Sequence, residues 1–157
     1  NMFGNLFINN KQEILERLQR HGLPIYDEDT WWVSFPERAE GEILKMQRFS
    51  NSILSADGDS LVWHFETTTN FGNTYFKTIV ADSGFPFKCP KVYVLDPKIS
   101  PKHKIHMYDG GELCLFRPEE YRSNLSILEL RNKAAAWCFA YDTYLSTDEW
   151  GGAEVSH

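Results

Sequence analysis

The clearest hydrophobic pattern in the chain lies near its end. Leu130, Ala134, Trp137, Tyr141 and Leu145 recur at steps of three and four, which is the repeat of one helix face. Ser126 and Glu129 form a capping box just ahead of that run, so the last element is predicted as a long helix with an apolar face. Cys138 lies on the same face and reads as a core residue. An earlier helix is predicted over residues 10–21. There Asn10 and Glu13 make a capping pair, Ile14, Leu15 and Leu18 form the apolar stripe, and Gly22 and Pro24 stop the helix.

Between the two helices the period drops to two. Leu61, Trp63 and Phe65 alternate with polar or smaller residues, and Asn70, Gly72 and Asn73 supply a turn. Residues 74–80 and 91–95 read as two further strands, rich in aromatic and β-branched side chains. Residues 32–35 and 43–49 are read as one or two earlier strands. Consecutive strands joined by short turns predict an antiparallel meander. Residues 98–118 break the pattern with two prolines, Gly110-Gly111 and the short apolar run Leu113-Cys114-Leu115-Phe116. A long loop without a period of its own is uncommon in a compact domain and is usually functional. Beyond the last helix, Trp150-Gly151-Gly152 is expected to turn the chain back. The order is helix, strands, loop, helix: an α+β fold. With neither repeat nor low-complexity linker, residues 1–157 are read as a single domain.

Composition narrows the chemistry. Hydrophobic residues make up 42% and the formal charge is −6 with no basic run, so the chain is globular and poorly suited to neutralising phosphates. Nucleic acid is therefore not expected as a partner. Neither a bilayer-spanning stretch nor a basic-then-apolar leader is evident, so no membrane association is expected. Cys89, Cys114 and Cys138 are odd in number and widely spaced. That argues against a disulfide framework and for a reducing compartment, the cytoplasm.

Cys114 is the candidate nucleophile because it stands on the irregular loop, near Lys102, His103, Lys104, His106 and Arg117. Thiolate attack depends on nearby positive charge or hydrogen bonding. The alternative is a buried apolar cysteine between two leucines, a common fate for free cysteine. His103 and His106 have the spacing of a metal pair, but a tetrahedral zinc site needs four ligands and the cysteines are isolated; no metal or cofactor is expected. A Cys114–His106 hydrolase pair lacks an orienting third residue. Among the acidic residues near the cysteine, Asp109 is the catalytic candidate. The others, including Glu112, read as a solvated rim.

At residues 85–92 the chain reads Phe-Pro-Phe-Lys-Cys-Pro-Lys-Val. This resembles the Tyr-Pro-Phe-Lys-Pro-Pro-Lys-Val segment of ubiquitin-conjugating (UBC) enzymes. Leu61-Val62-Trp63 and residues 74–80 look like the strand pair ahead of that segment. Gly111-Glu112-Leu113-Cys114-Leu115 looks like the family's Gly-x-Ile-Cys-Leu active-site motif. The three occur in the family's order. The resemblance implies a UBC-like fold in which Cys114 accepts a polypeptide C-terminus as a thioester and passes it to an amine, with Tyr108, Leu113 and Leu115 contacting the substrate. Cys89 stands where the family has proline, which implies a structural role.

The family's His-Pro-Asn motif is absent, and about four extra residues precede the cysteine. His106 occupies the slot of the family asparagine. Three roles stand open for it: oxyanion donor, base toward the amine, or brace of the loop through a backbone hydrogen bond. The run from His106 to Tyr108, then Leu-Cys-Leu, then a Trp-rich helix is similar to the conjugating-enzyme-like proteins of bacterial CBASS anti-phage operons. That likeness implies as partner the C-terminus of a cGAS-like nucleotidyltransferase or a ubiquitin-like carrier, with or without an activating enzyme. The competing expectation is a non-catalytic UBC-fold module that binds a protein partner.

Overall fold

The computed structural model describes residues 2–25 and 28–151, with side chains from residue 10 onward. The first helix, α1 (Met2–Arg20), begins well before Asn10, so the Asn10–Glu13 pair lies inside it and caps nothing. Its end is as expected: Gly22 takes φ +91°, a conformation glycine adopts without steric cost. Ile14 and Leu18 turn inward.

Two segments expected as strands are helices. Residues 32–35 fall in and just after α2 (Trp31–Ser34), a single turn, and residues 43–49 belong to α3 (Pro36–Phe49). Proline at the first turn and Glu37 beside it are helix-start signals. Ala39, Ile43 and Met46 are buried while Leu44 and Phe49 are exposed, so the period over this stretch is helical. Trp31, Trp32 and Val33 are all buried, without the alternation of a strand. The indole of Trp31 donates to the Ala81 carbonyl at 3.1 Å and that of Trp32 to the Pro24 carbonyl at 2.7 Å, which meets the polar need of both buried rings.

The sheet is an antiparallel meander in the order β1 (Ile53–Asp57), β2 (Ser60–Thr68), β3 (Thr74–Ala81) and β4 (Lys91–Asp96). Leu61, Trp63 and Phe65 face the core, and Trp63 pairs with Ile79 across the sheet. Inward alternation also carries Lys77 into the interior, opposite Phe65. Its ammonium donates to Thr67 Oγ1 at 2.7 Å and lies 4.8 Å from the Phe65 ring.

The last helix, α4 (Ile127–Thr147), packs on α3 and β3. Ser126 Oγ accepts the Glu129 N–H at 3.1 Å, as the capping pattern predicts. A second cap comes from α3: Glu42 Oε2 accepts the Ile127 N–H at 2.7 Å. Arg38 completes the joint, pairing with Glu42 at 3.0 Å and donating to the carbonyls of Ser123 and Leu125. Farther along α4, the buried Asp142 accepts from Thr69, Asn73 and Tyr75 and ties the β2–β3 turn to the helix. Leu145, placed on the apolar face by periodicity, is 59% exposed because the helix outruns the sheet. Trp150 packs against Trp137 at 5.7 Å between ring centroids; Gly152 lies outside the described residues. The fold is α+β and UBC-like, as the resemblance implied.

Candidate active site

The loop after β4 adds a small extension to the sheet. Residues 112–114 run antiparallel to β4 on one side, through Tyr93–Glu112, and to residues 106–108 on the other, through Met107–Leu113. Backbone bonds fix the register: Leu113 N–H to the Val92 carbonyl at 2.8 Å, Cys114 N–H to the His106 carbonyl at 2.8 Å and Tyr108 N–H to the Glu112 carbonyl at 2.9 Å. Gly111, at φ +93°, makes the turn between the two loop segments. A Cβ on Gly110 would stand 2.3 Å from Glu112 Oε1, so this glycine lets the carboxylate fold back over the turn.

Because side chains alternate along extended chain, the register sorts them into two sets. Val92, Leu113 and Met107 are buried on the core side. On the other side Tyr93, Glu112 and Tyr108 form one row, and continuing the register places Lys91, Cys114 and His106 in the next. Cys114 is thus the middle residue of its row. His106 leaves regular pairing there, at φ 55° and ψ 52°, and its ring packs 5.0 Å from Trp150.

Cys114 is 5% exposed, yet it is not sealed in. It borders a half-open, mostly apolar groove of about 180 Å³, along with Tyr108, Leu115, Phe116, Cys89 and Lys91. Burial pushes its thiol up to about 11; a hydrogen bond from the Tyr108 hydroxyl works against that rise and the Glu112 carboxylate adds to it. The Tyr108 phenol is raised in turn, first by its own burial and then by the neighbouring sulfur. Burial also pushes the Cys89 thiol up to about 11.

The sequence candidates are partly assembled. Tyr108, Leu115 and Cys114 meet at the groove; Leu113 borders it too, with its side chain mainly in the core. His106 approaches the cysteine through its backbone carbonyl, while its ring stands beside Trp150. Asp109 sits at the exposed tip of the turn, 3.4 Å from His103 Nε2. Among the described residues, no three His, Cys, Asp or Glu side chains gather as a metal site. Cys138 is fully buried and donates to the Ala134 carbonyl at 3.3 Å. Sequence reading missed that Cys89 and Lys91 share the cysteine's surroundings, and Glu112, read as solvated rim, borders the groove with them. The signal lies in the offset between β4 and the cysteine motif, which only pairing reveals.

A family model described as Type II CBASS E2 protein, E2-CBASS, matches residues 42–157. A search of curated proteins finds no match. The matched region takes in the whole sheet, the groove and α4. Covering well over half of the chain and every residue around the candidate nucleophile, this match makes the protein a member of the type II CBASS E2 family, an E2-like component of CBASS anti-phage defence.

Proposed function

We propose that Cys114 carries the C-terminus of a partner protein as a thioester and passes it to an amine. The partner is a cGAS-like nucleotidyltransferase or a ubiquitin-like carrier, delivered with or without an activating enzyme. The observation that supports this best is the position of Cys114, central in its row, on the groove and hydrogen-bonded by Tyr108. A thiol held near 11 is rarely ionised at neutral pH. In thioester exchange, however, the sulfur with the higher pKa is the poorer leaving group, so an acyl group transferred to Cys114 stays there until an amine arrives. Tyr108 stabilises the thiolate when it attacks and when it departs. Leu115 and Phe116 give the incoming chain an apolar wall. His106 serves as oxyanion donor once its ring turns from Trp150 toward the acyl carbonyl; Asp109, at the rim, contacts the incoming amine.

The test is a non-reducing gel after incubation with the operon partner, and with an activating enzyme and carrier. A thiol-sensitive adduct is expected, lost in Cys114→Ala and kept in Cys89→Ala and Cys138→Ala. Absence of any adduct, or its loss in the Cys138 variant with the fold intact, overturns the assignment. The slight exposure of Cys114 favours a second reading, a UBC-fold module that binds its partner without chemistry. That reading predicts a stable complex and no adduct in the same experiment.

A further inference from the structure

A lysine to which the resemblance assigns no role borders the groove. Lys91 opens β4, and its side chain is exposed. Tyr93 pairs with Glu112 and the Leu113 N–H bonds the Val92 carbonyl, so the same register extended by one step sets Lys91 opposite Cys114. Lys91 and Cys114 also border the same groove. Directly opposite positions on one face of an antiparallel pair have Cβ atoms about 5 Å apart. A thioester carbonyl one bond beyond the sulfur is therefore within the sweep of a lysine's four-carbon stem.

We propose that Lys91 is an acyl acceptor within its own chain, taking the partner C-terminus from Cys114 to form an isopeptide bond. The proposal rests on the thioester reading above and adds the acceptor to it. The step balances without a further reagent: the ammonium first gives one proton to solvent or to the Glu112 carboxylate on the same groove. The neutral amine attacks the thioester carbon, a C–N bond forms and the C–S bond breaks. The electron pair leaves on the Cys114 sulfur, where Tyr108 is the hydrogen-bond donor, and the second amine proton neutralises the thiolate. The products are an amide on Lys91 and a free Cys114 thiol. A tethered amine acts at an effective concentration of roughly millimolar or more, ahead of dilute amines in solution.

Lys133 provides the control. Its ammonium stands 5.9 Å from the ring of Phe116, which borders the same groove, but it belongs to α4 and not to the cysteine's row. The full chain is incubated with a synthetic peptide carrying a C-terminal glycine thioester, and adducts are followed by intact mass before and after thiol treatment. A thiol-labile adduct should appear first, then a thiol-resistant one that maps to Lys91 after proteolysis. Lys91→Arg should lower the resistant adduct at least tenfold, while the labile one still forms and persists longer than in the wild-type chain. Lys133→Arg should alter neither, and Cys114→Ala should abolish both. A labile adduct without a resistant one, or a resistant one that survives Lys91→Arg, overturns the acceptor assignment and leaves the thioester reading standing. No labile adduct on the wild-type chain overturns the Cys114 reading and this proposal with it.

Discussion

Three influences act on one sulfur at Cys114: burial and the Glu112 carboxylate disfavour its thiolate, and the Tyr108 hydroxyl favours it. With the thiol at about 11, the ionised fraction at pH 7 is on the order of one in ten thousand, and only the thiolate reacts. Alkylation of Cys114 by iodoacetamide should therefore climb about tenfold per pH unit from neutrality without levelling near 9. Tyr108→Phe removes the one opposing influence, so the profile should move to still higher pH while the melting temperature stays close to wild type. A plateau near the ordinary thiol value, or a Tyr108→Phe profile that superimposes on wild type, contradicts the arrangement. Cys114 and Tyr108 were both named from sequence, but their contact was not. It depends on a diagonal across a two-stranded turn that no spacing rule displays.

At the scale of elements, α4 does most to hold the site in place. The Trp137 indole donates to the Ile105 carbonyl at 2.8 Å, one residue before His106. Its ring stacks on Tyr141 at 5.0 Å and meets Trp150, which in turn covers His106. Trp137→Ala should cost roughly 3–5 kcal/mol through the cavity alone, and it also releases the carbonyl that anchors the loop. A thermal melt hardly moved by this substitution would show that the face is not buried as described. This helix was legible because its period, Ser126 cap and length all agree. α3 was not, because its outward Leu44 and Phe49 add apolar residues off the helical stripe and disguise the period. β1 escaped notice for the opposite reason: it is an edge strand with Ile53 72% exposed, so burial imposes little pattern on it. The Glu42 cap on α4 joins residues 85 apart in the chain, a distance no local motif spans.

Across the whole molecule, the resemblance carried the architecture because three motifs kept the family's order, whereas the polar interior had no outward sign. Lys77 sits in a strand pattern like any surface lysine, yet it is 1% exposed and burial lowers its pKa. The thiols and phenols shift the other way. Cys89 and Cys114 are raised to about 11, Tyr121 is raised to about 12, and burial also raises Tyr75 and Cys138. These groups hold their protons more tightly folded than unfolded, so the stability they contribute is complete below pH 9 and is lost as pH rises through the folded values. Lys77 acts in the opposite sense: its penalty is complete below its depressed folded value and is relieved as pH climbs toward 10.5, where the unfolded side chain also loses its proton. Tyr93, Tyr108 and Tyr141 are raised by burial as well, so the raised groups outnumber Lys77 and the melting temperature should fall from pH 9 to pH 11. Lys77→Met should raise the melting temperature at neutral pH, because a charge held away from water is replaced by an apolar stem. It should also steepen the alkaline decline, since the one compensating group is gone. Melts collected across that range on both proteins measure the two effects together. A wild-type curve that is flat or rising, or a Lys77→Met curve with the same slope, would mean that the buried thiols, phenols and lysine do not govern the alkaline stability of this fold.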